Sequence, residues 1–282
     1  MIFTEIFTHS FSINMRTSSY KKIFLLLVAV YACSGFVDTY AKAIPQTESS
    51  CTPDTTIKYG QYLIYNNAWN APKNFSQCIA LTKNKTPQIQ WSWNYPNDNA
   101  GINGFPSILV WQSPWSSRPT TTKKLPVALQ NIKSLKAEYQ VVQNITWWYN
   151  LAIDGWITQS LVMSPENIKY EYMIWEDYSD IEKSELGSFQ WTIKTTHGEY
   201  SMYTKIPTWN PPGTSWVYIL FLSSKKHTSG TIDIDQLLNF AVDKKIIPKN
   251  FYLSTVEFGN EVTAWSGSTL VKKYDLNIQI KK

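Results

Sequence analysis

The sequence contains few of the residues from which metal centres and thiol chemistry are usually built. It has three Cys and three His among 282 residues, and only His197 and His227 of the His lie beyond position 43. Neither is accompanied by a Cys or an acidic residue at the spacing typical of metal ligands. The sequence therefore predicts no metal site and no other cofactor.

Several enzyme classes also lack support, because their motifs are absent. The sequence has no G-x-S-x-G nucleophile elbow, no glycine-rich loop that would cradle phosphate and no dinucleotide fingerprint. The net charge of the whole chain is +5, and removing residues 1–43 takes away four basic and two acidic residues, which leaves +3. A charge this small does not indicate a nucleic-acid partner.

Residues 1–43 have the pattern of a secretory signal peptide. Lys21 and Lys22 precede an apolar run over residues 23–30, and Ala41-Lys42-Ala43 has the small-x-small pattern of a cleavage site. A buried core helix is the alternative, but it accounts less well for the basic flank and the cleavage site. No other apolar run approaches membrane-spanning length. We therefore expect a secreted protein with no membrane segment after cleavage.

The start of the chain leaves two details open. Met15 is an alternative start, because residues 1–14 form an unusual leader before the basic pair. Cys33 is a candidate lipoprotein cleavage site, but Tyr31 is bulky for the position it would occupy. Cleavage after Ala43 is therefore favoured over lipidation.

Aromatic residues are unusually abundant: they make up 15% of the sequence and include 13 Trp. Beyond Cys51 the chain consists of short segments separated by Asn, Pro and Gly, which is typical of antiparallel sheets. One run, residues 233–247, has helical periodicity, with a cap at Asp233 and a stop at Pro248. A single helix among about a dozen strands predicts an all-β sandwich in one domain over residues 44–282. Strands are predicted near residues 61–65, 77–81, 88–93, 105–111, 138–142, 146–152, 170–176, 189–194, 200–205, 216–222 and 256–262.

Cys51 and Cys78 are the two cysteines that remain after removal of the signal peptide. In an exported chain an isolated pair favours a disulfide over two free buried thiols. The sequence therefore predicts a bond that closes the N-terminal hairpin.

Two predicted strands each carry a glutamate on the face that the core does not need. In residues 170–176, Glu171 shares one face with Met173 and Trp175, while the apolar remainder occupies the other. In residues 256–262, Glu261 faces away from the apolar side chains. A lone glutamate on a strand is usually solvated. Two of them on aromatic-rich strands favour glycoside hydrolysis.

These motifs resemble glycoside hydrolase family 12, the small β-jelly-roll endoglucanases and xyloglucanases. Tyr-Glu-Tyr-Met-Ile-Trp at residues 170–175 and Phe-Gly-Asn-Glu at residues 258–261 match the two catalytic strands. Asn-Asn-Ala-Trp at residues 66–69 matches the N-terminal substrate strand. The cysteine pair sits where the family's common disulfide sits, and the helix precedes the second glutamate strand in the expected order. The likeness extends from Cys51 to the C-terminus.

The resemblance implies a β-jelly roll of two antiparallel sheets with a concave cleft. It also implies a retaining mechanism in which Glu171 is the nucleophile and Glu261 the general acid/base. For that mechanism we expect Glu171 to stay ionised while Glu261 holds a proton.

The same resemblance implies the substrate contacts. Trp69 matches an aromatic platform on the non-reducing side of the scissile bond, and Asn67 matches a polar contact nearby. Met173 and Trp175 match residues that shape the floor beside the nucleophile. Trp93 falls in a segment that contributes to the cleft wall, and core packing is an equal alternative for it.

The sequence departs from the family near the nucleophile. The family carries an Asp that hydrogen-bonds the nucleophile, and the matching segment here places Asn150 at that position, so we expect its amide to support Glu171. Asp154 lies on the same side but about 13 Å further along a strand. It would substitute only through a bulge. Glu176 stands where the family usually has Leu.

The resemblance predicts a secreted, retaining endo-β-1,4-glucanase that cuts internal bonds of a β-glucan. Trp216 and Trp265 stand where the family has smaller or amide residues, which favours unbranched chains over xyloglucan. A xyloglucan-specific enzyme is the alternative of the same class, and a non-catalytic carbohydrate-binding jelly roll is the alternative of another class. Retention of both glutamates argues against the binding module. The expected partner is a polysaccharide (cellulose, mixed-linkage glucan or xyloglucan), and the expected state is a monomer.

Overall fold

The computed structural model describes residues 46–96, 101–110, 114–115, 121–180, 185–208, 211 and 213–281. The signal peptide predicted over residues 1–43 lies outside these ranges and stays a prediction. No helix within the ranges is long and apolar enough to cross a membrane. The strands are β1 Gln46–Ser50, β2 Thr56–Tyr59, β3 Tyr62–Tyr65, β4 Ser76–Lys83, β5 Gln88–Tyr95, β6 Ser107–Val110, β7 Val127–Ala128, β8 Ile132–Ile145, β9 Asn150–Thr158, β10 Ile168–Tyr178, β11 Ser188–Lys194, β12 Glu199–Lys205, β13 Val217–Ser223, β14 Ser229–Asp233, β15 Tyr252–Leu253, β16 Val256–Gly259 and β17 Trp265–Ile280. The α-helix is α1 Ile234–Asp243, and two 3-10 turns cover Leu129–Asn131 and Pro165–Asn167.

The strands form two sheets. One has six strands in the order β1-β4-β5-β17-β8-β14, and the other has eleven, with the main path β11-β12-β13-β10-β9-β16-β6-β3-β2. Within the larger sheet β10 runs antiparallel to β9 but parallel to β13. The all-β sandwich with one packed α-helix is confirmed, with this parallel pair as a departure from a purely antiparallel arrangement.

The two sheets differ in how their side chains are buried. In β5 the residues alternate, with Ile89, Trp91, Trp93 and Tyr95 buried and their neighbours turned outward. In β9 every residue is buried, because one face packs on the core and the other is covered in a cleft. The inward faces of both sheets pack into one core. The other face of the larger sheet is also enclosed at β9, where it lines the cleft.

The prediction that Trp93 contacts substrate is wrong. Its side chain is 4% exposed and belongs to the core between the sheets, on the six-stranded sheet. Gly267 of β17 lies opposite Trp93, and a Cβ at Gly267 would come 2.2 Å from the indole. A glycine is therefore needed for the indole to pack there.

The helix is shorter than its apolar periodicity predicts. It ends at Asp243 rather than at residue 247, because Lys245 adopts a left-handed conformation with φ 61° and the Ile246 N–H donates back to the Ala241 carbonyl. Asp233 precedes the helix but makes no side-chain capping bond. Its carboxylate instead pairs with Lys136 of β8 at 2.6 Å.

Two further strand boundaries differ from those that alternation predicts, whereas the predicted disulfide is present. The strand predicted over residues 146–152 begins at Asn150, and the second glutamate strand ends at Gly259, so Glu261 follows the strand rather than lying within it. The Cys51–Cys78 disulfide is present, with Cα atoms 4.0 Å apart.

Candidate active site

One face of the eleven-stranded sheet lines a cleft of about 760 Å³. Six carboxyl groups line its described part. Four of them come from adjoining strands of the sheet or the segment that follows: Glu171 from β10, Asp154 from β9, Glu257 from β16, and Glu261 from the segment after β16. The other two are Asp54 and Glu185. The two glutamates identified from the sequence are thus brought to the same cleft although 90 residues separate them in the chain.

Glu171 is held by a side chain that the sequence interpretation treated only as added bulk. The Trp216 indole N–H donates to Glu171 Oε2 at 2.8 Å. Desolvation in the cleft raises the pKa of Glu171 to about 8, against the opposing effects of this hydrogen bond and of Lys205. Trp216 is 4% exposed and lines the cleft. No sequence signal distinguished this donor from a bulky wall residue.

Glu261 is held by Asn150 through two hydrogen bonds. The Asn150 amide donates to Glu261 Oε2, and the Glu261 backbone N–H donates to Asn150 Oδ1 at 3.0 Å. Desolvation raises the pKa of Glu261 to about 7, while Asn150 and Lys205 favour its ionised form. Both glutamate pKa values are therefore raised, and the expected order, with Glu261 alone holding a proton, is not seen.

The expectation that Asn150 supports Glu171 is wrong. In the β9–β10 register Asn150 lies opposite Tyr178, seven residues beyond Glu171. Asp154 lies opposite Met173, two residues from Glu171, and the pairing between them is regular, so no bulge is needed. Asn150 was assigned from its match to the family motif. Asn150 and Asp154 share one face of β9, so alternation alone does not select between them.

Asp154 is buried among these carboxyl groups. It is 8% exposed, and its Oδ1 has no hydrogen-bond partner. Burial, followed by the charges of Glu171 and Glu257, raises its pKa well above the ordinary value. Both burial and the neighbouring charges thus favour the protonated form of Asp154.

Glu257 was missed by the sequence interpretation. It lies opposite Asp154 across the β9–β16 pair, is 3% exposed and accepts a hydrogen bond from the Ser107 hydroxyl at 3.4 Å. Alternation from Glu261 through Gly259 to Glu257 was available as a signal, because these positions share one face. The prediction for this strand used only Glu261 and the apolar core face that contains Phe258.

The aromatic walls contain the other expected substrate contacts. Asn67, Trp69, Met173 and Trp175 all line the cleft, and Trp69 is 59% exposed, as a stacking platform requires. Trp115, Trp156 and Trp216 pack edge to face, with ring centroids 5.4–5.6 Å apart.

Trp265 does not line the described part of the cleft. It is 44% exposed and packs against Trp147 with ring centroids 6.1 Å apart. The steric argument from Trp265 against branched chains is therefore lost, and Trp216 is engaged with Glu171.

Comparison with known proteins gives relatives that span nearly the whole chain. No protein-family model matches it. It is 24% identical over 276 residues to endoglucanase S of Pectobacterium parmentieri, which covers 94% of this chain and 99% of the relative. It is 24% identical to a xyloglucan-specific endo-β-1,4-glucanase of Phytophthora nicotianae, over 81% of this chain and 90% of that one. A third relative, from the same Phytophthora, is named an inactive glycoside hydrolase and is 25% identical over 75% of this chain and 83% of its own length.

Solved structures agree with the fold. A family 12 xyloglucanase from Bacillus licheniformis superimposes with a TM-score of 0.73 at 23% identity, covering 82% of this chain and all of that one. An endoglucanase from Rhodothermus marinus superimposes with a TM-score of 0.68 at 20% identity, over 83% and 99% of the two chains. The resemblance to glycoside hydrolase family 12 is confirmed, and the chain has the jelly-roll fold of that family.

Proposed function

We propose that the protein is a secreted, retaining endo-β-1,4-glucanase whose nucleophile is Glu171 and whose general acid/base is Glu261. The observation that carries the proposal is the convergence of these two carboxyl groups in one aromatic-lined cleft, each with its own hydrogen-bond donor. Trp216 donates to Glu171 and Asn150 to Glu261. Different donors keep the two carboxyl groups in separate, fixed orientations, which suits two different roles.

The steps follow from that placement. The reactive form has Glu171 ionised and Glu261 protonated. In it Glu171 attacks the anomeric carbon while Glu261 gives its proton to the leaving glycosidic oxygen, which forms a glycosyl-enzyme ester at Glu171. Glu261, now ionised, takes a proton from water, and that water breaks the ester and releases the sugar with its configuration retained. The Trp216 indole N–H stabilises the carboxylate of Glu171 as it attacks and as it leaves.

Asp154 has a supporting role in the proposal. Its protonated form places a neutral carboxyl group beside Glu171, where a second carboxylate would repel the nucleophile's charge. The raised pKa of Asp154 favours this form. A protonated carboxyl group also donates a hydrogen bond, which Asn150 is too far along β9 to supply.

The proposed substrate is a β-1,4-linked glucan, bound by the protein as a monomer. Trp69 offers an exposed indole for a sugar ring, and Trp156 and Trp216 pack edge to face in the lining of the cleft. A xyloglucan-specific enzyme is the second candidate, favoured by the names of relatives and of a neighbouring structure. Secretion rests on the leader pattern of residues 1–43.

A binding module without activity is a further possibility raised by the relative named inactive. Both Glu171 and Glu261 are present here and each has a side-chain donor, which a binding cleft does not require. Their presence favours the enzyme.

The experiment that tests the proposal follows the hydrolysis products by NMR and by release of reducing sugar. Carboxymethylcellulose, mixed-linkage glucan and xyloglucan are compared at equal mass. We expect the β-anomer first and cleavage of the unbranched glucans. An α-anomer as first product would overturn the retaining assignment, a higher kcat/KM on xyloglucan would favour the second candidate, and no release from any of them would favour the binding module.

A further inference from the structure

A second buried carboxylate, Glu176, lies near the end of β10 on the side away from the cleft. Its side chain is fully buried, and its Oε2 lies 2.8 Å from His197 Nε2 and 3.3 Å from His227 Nδ1. The three ligand-type atoms all lie within 4.8 Å of one another. We call Glu176, His197 and His227 the Glu176 cluster.

We propose that the Glu176 cluster binds a divalent transition-metal ion, with Zn²⁺ the best match. Two imidazole nitrogens and one carboxylate oxygen are a ligand set that zinc uses, at about 2.0–2.2 Å from the metal. Tetrahedral geometry at that distance places ligand atoms about 3.3 Å from each other. One measured separation equals this value and the other is 0.5 Å shorter, so small side-chain shifts suffice to admit the ion.

The fold prepares the positions of both imidazoles. His197 lies in the turn between β11 and β12, and Gly230 of β14 faces it so closely that a Cβ there would come 2.1 Å from the ring. His227 lies in the loop between β13 and β14, and its backbone N–H donates to the Glu176 carbonyl at 2.7 Å. The missing side chain at Gly230 and this backbone bond seat the two rings against one carboxylate.

Two tyrosines orient the carboxylate from behind. The Tyr139 hydroxyl donates to Glu176 Oε2 at 2.9 Å and the Tyr200 hydroxyl to Oε1 at 2.6 Å. Such hydrogen bonds to a ligating carboxylate are typical of metal sites, where they fix its direction. The Ser223 hydroxyl lies 3.4 Å from His227 Nδ1 and marks the place of a fourth ligand or a bound water.

An ion also has a physical reason to bind here and a route to do so. A carboxylate removed from water needs a compensating positive charge, and a divalent cation supplies it while the imidazoles stay neutral. The His227 side chain is 23% exposed, which opens the cluster to solvent on one side. Binding would add a link between the end of β10 and the loops that carry His197 and His227, beyond the backbone pairing of these strands.

Local sequence spacing gave no hint of this cluster. Its members are separated by 21 and 30 residues, and only the pairing of β10 with β13 and of β11 with β12 brings their loops together. The expectation of no metal site rested on short-range motifs, which this arrangement does not use.

The test uses the untagged protein freed of metal by a chelator and titrated with ZnCl₂ by calorimetry. We expect one saturable site per chain and a rise in Tm of roughly 5–10 °C at a hundredfold excess of zinc over its Kd. Co²⁺ should give the visible absorption bands of a tetrahedral site. His227→Ala should weaken binding at least tenfold and abolish those bands, and Glu176→Gln should do the same if it folds.

Glu138→Gln is the matched control, because the Glu138 side chain pairs with Lys273 at the surface and is not part of the cluster. It should bind zinc as the unaltered protein does. Three results would overturn the proposal. These are no saturable binding to the unaltered protein, binding by His227→Ala as tight as that of the unaltered protein, or a Tm that does not change when zinc is added. The last would mean that the cluster is only a hydrogen-bonded network.

Discussion

Glu171 and Glu176 lie five residues apart on β10, and their surroundings are opposite. Glu171 faces the cleft among other carboxyl groups, and desolvation raises its pKa to about 8. Glu176 faces the core, where burial also acts to raise its pKa, but hydrogen bonds from His197, Tyr200 and Tyr139 outweigh burial and lower the pKa below its ordinary value. The pKa values of two glutamates on one strand are thus shifted in opposite directions.

The comparison shows that neighbours, rather than burial alone, decide what a carboxyl group does. A glutamate whose pKa is raised toward neutral pH can gain and lose a proton during a reaction, as a general acid/base must, while a nucleophile acts in its ionised form. A glutamate among hydroxyl and imidazole donors stays ionised and holds its neighbours in place. The cleft side of β10 is therefore suited to chemistry and the core side to structure.

The largest expected effect separates these two roles by the same substitution at both positions. Glu171→Gln should lower kcat on glucan by at least about 10³-fold, because it removes the nucleophile. It should leave Tm unchanged or raised, because it also removes a desolvated ionisable group from the cleft. Glu176→Gln should lower the free energy of unfolding by about 3 kcal/mol and lower kcat by less than about tenfold. Calorimetric melting and reducing-sugar release on both variants give the two readouts.

The opposite pattern would break the comparison. If Glu176→Gln lost activity without losing stability, the core side of β10 would act on the reaction. Azide provides a positive control for Glu171→Ala, in which the cavity should admit the anion and restore turnover with inverted product.

The next effect removes the donor that distinguishes Glu171 from its acidic neighbours. Trp216→Phe deletes the indole N–H that stabilises the ionised nucleophile. We expect kcat to fall by roughly 10–100-fold, the cost of one charge-assisted hydrogen bond. Because the bond lowers the pKa of Glu171, its loss should move the acid limb of the pH–kcat/KM profile to higher pH.

Trp191→Phe is the matched control, since Trp191 lies on β11 and packs against Phe240 of the helix. It should leave the profile in place. A Trp216→Phe variant with an unchanged acid limb would show that Trp216 fills space only.

The fold was predictable because its signals are local. A few neighbouring residues are enough to identify the alternation in β5 and β8 and the apolar repeat of the helix. Turn residues mark the strand ends. The parallel pairing of β10 with β13 was not predictable, because alternation has the same period in parallel and antiparallel strands. The positions of strand ends near Asn150 and Gly259 depended on tertiary contacts.

The site was predictable in part for the same reason. Glu171 and Glu261 were found because each lies in a short motif, whereas the donors Trp216 and Asn150 act across strands that only the fold brings together. Trp93 was ambiguous because an indole on an alternating strand looks alike on a core face and on a cleft face. Asp154 was misjudged since the register between β9 and β10 is absent from the sequence.

A smaller effect comes from the positive charge that both catalytic glutamates share. Lys205 favours the ionised form of Glu171 and of Glu261. Lys205→Met should raise both pKa values, so the whole bell-shaped pH–kcat/KM profile should move to higher pH with a modest change in its maximum. Lys273→Met, at an exposed surface pair, should leave the profile unchanged. Movement of only one limb would mean that Lys205 acts on one glutamate.

The smallest expected effect tests whether the crowding of carboxyl groups defines the cleft side of β10. Glu257 faces Asp154, and its charge contributes to the raised pKa of Asp154 and of Glu171. A carboxyl group whose pKa is raised by folding contributes stability that is fully present below the unfolded pKa, about 3.9 for Asp. That stability is lost as the pH rises through the raised folded pKa.

Glu257→Gln removes one of the repelling charges while keeping the shape of the side chain. The Tm of the unaltered protein should therefore fall more steeply between about pH 5 and pH 8 than that of the variant, by a few degrees. The acid limb of kcat/KM should also move to lower pH in the variant, because the pKa of Glu171 loses one of the charges that raise it. Glu48→Gln, at an exposed pair with Lys83, serves as the control. Parallel Tm curves for Glu257→Gln and the unaltered protein would show that Asp154 and Glu171 are governed by desolvation alone, and the contrast with Glu176 would then rest on its hydrogen-bond donors rather than on charge in the cleft.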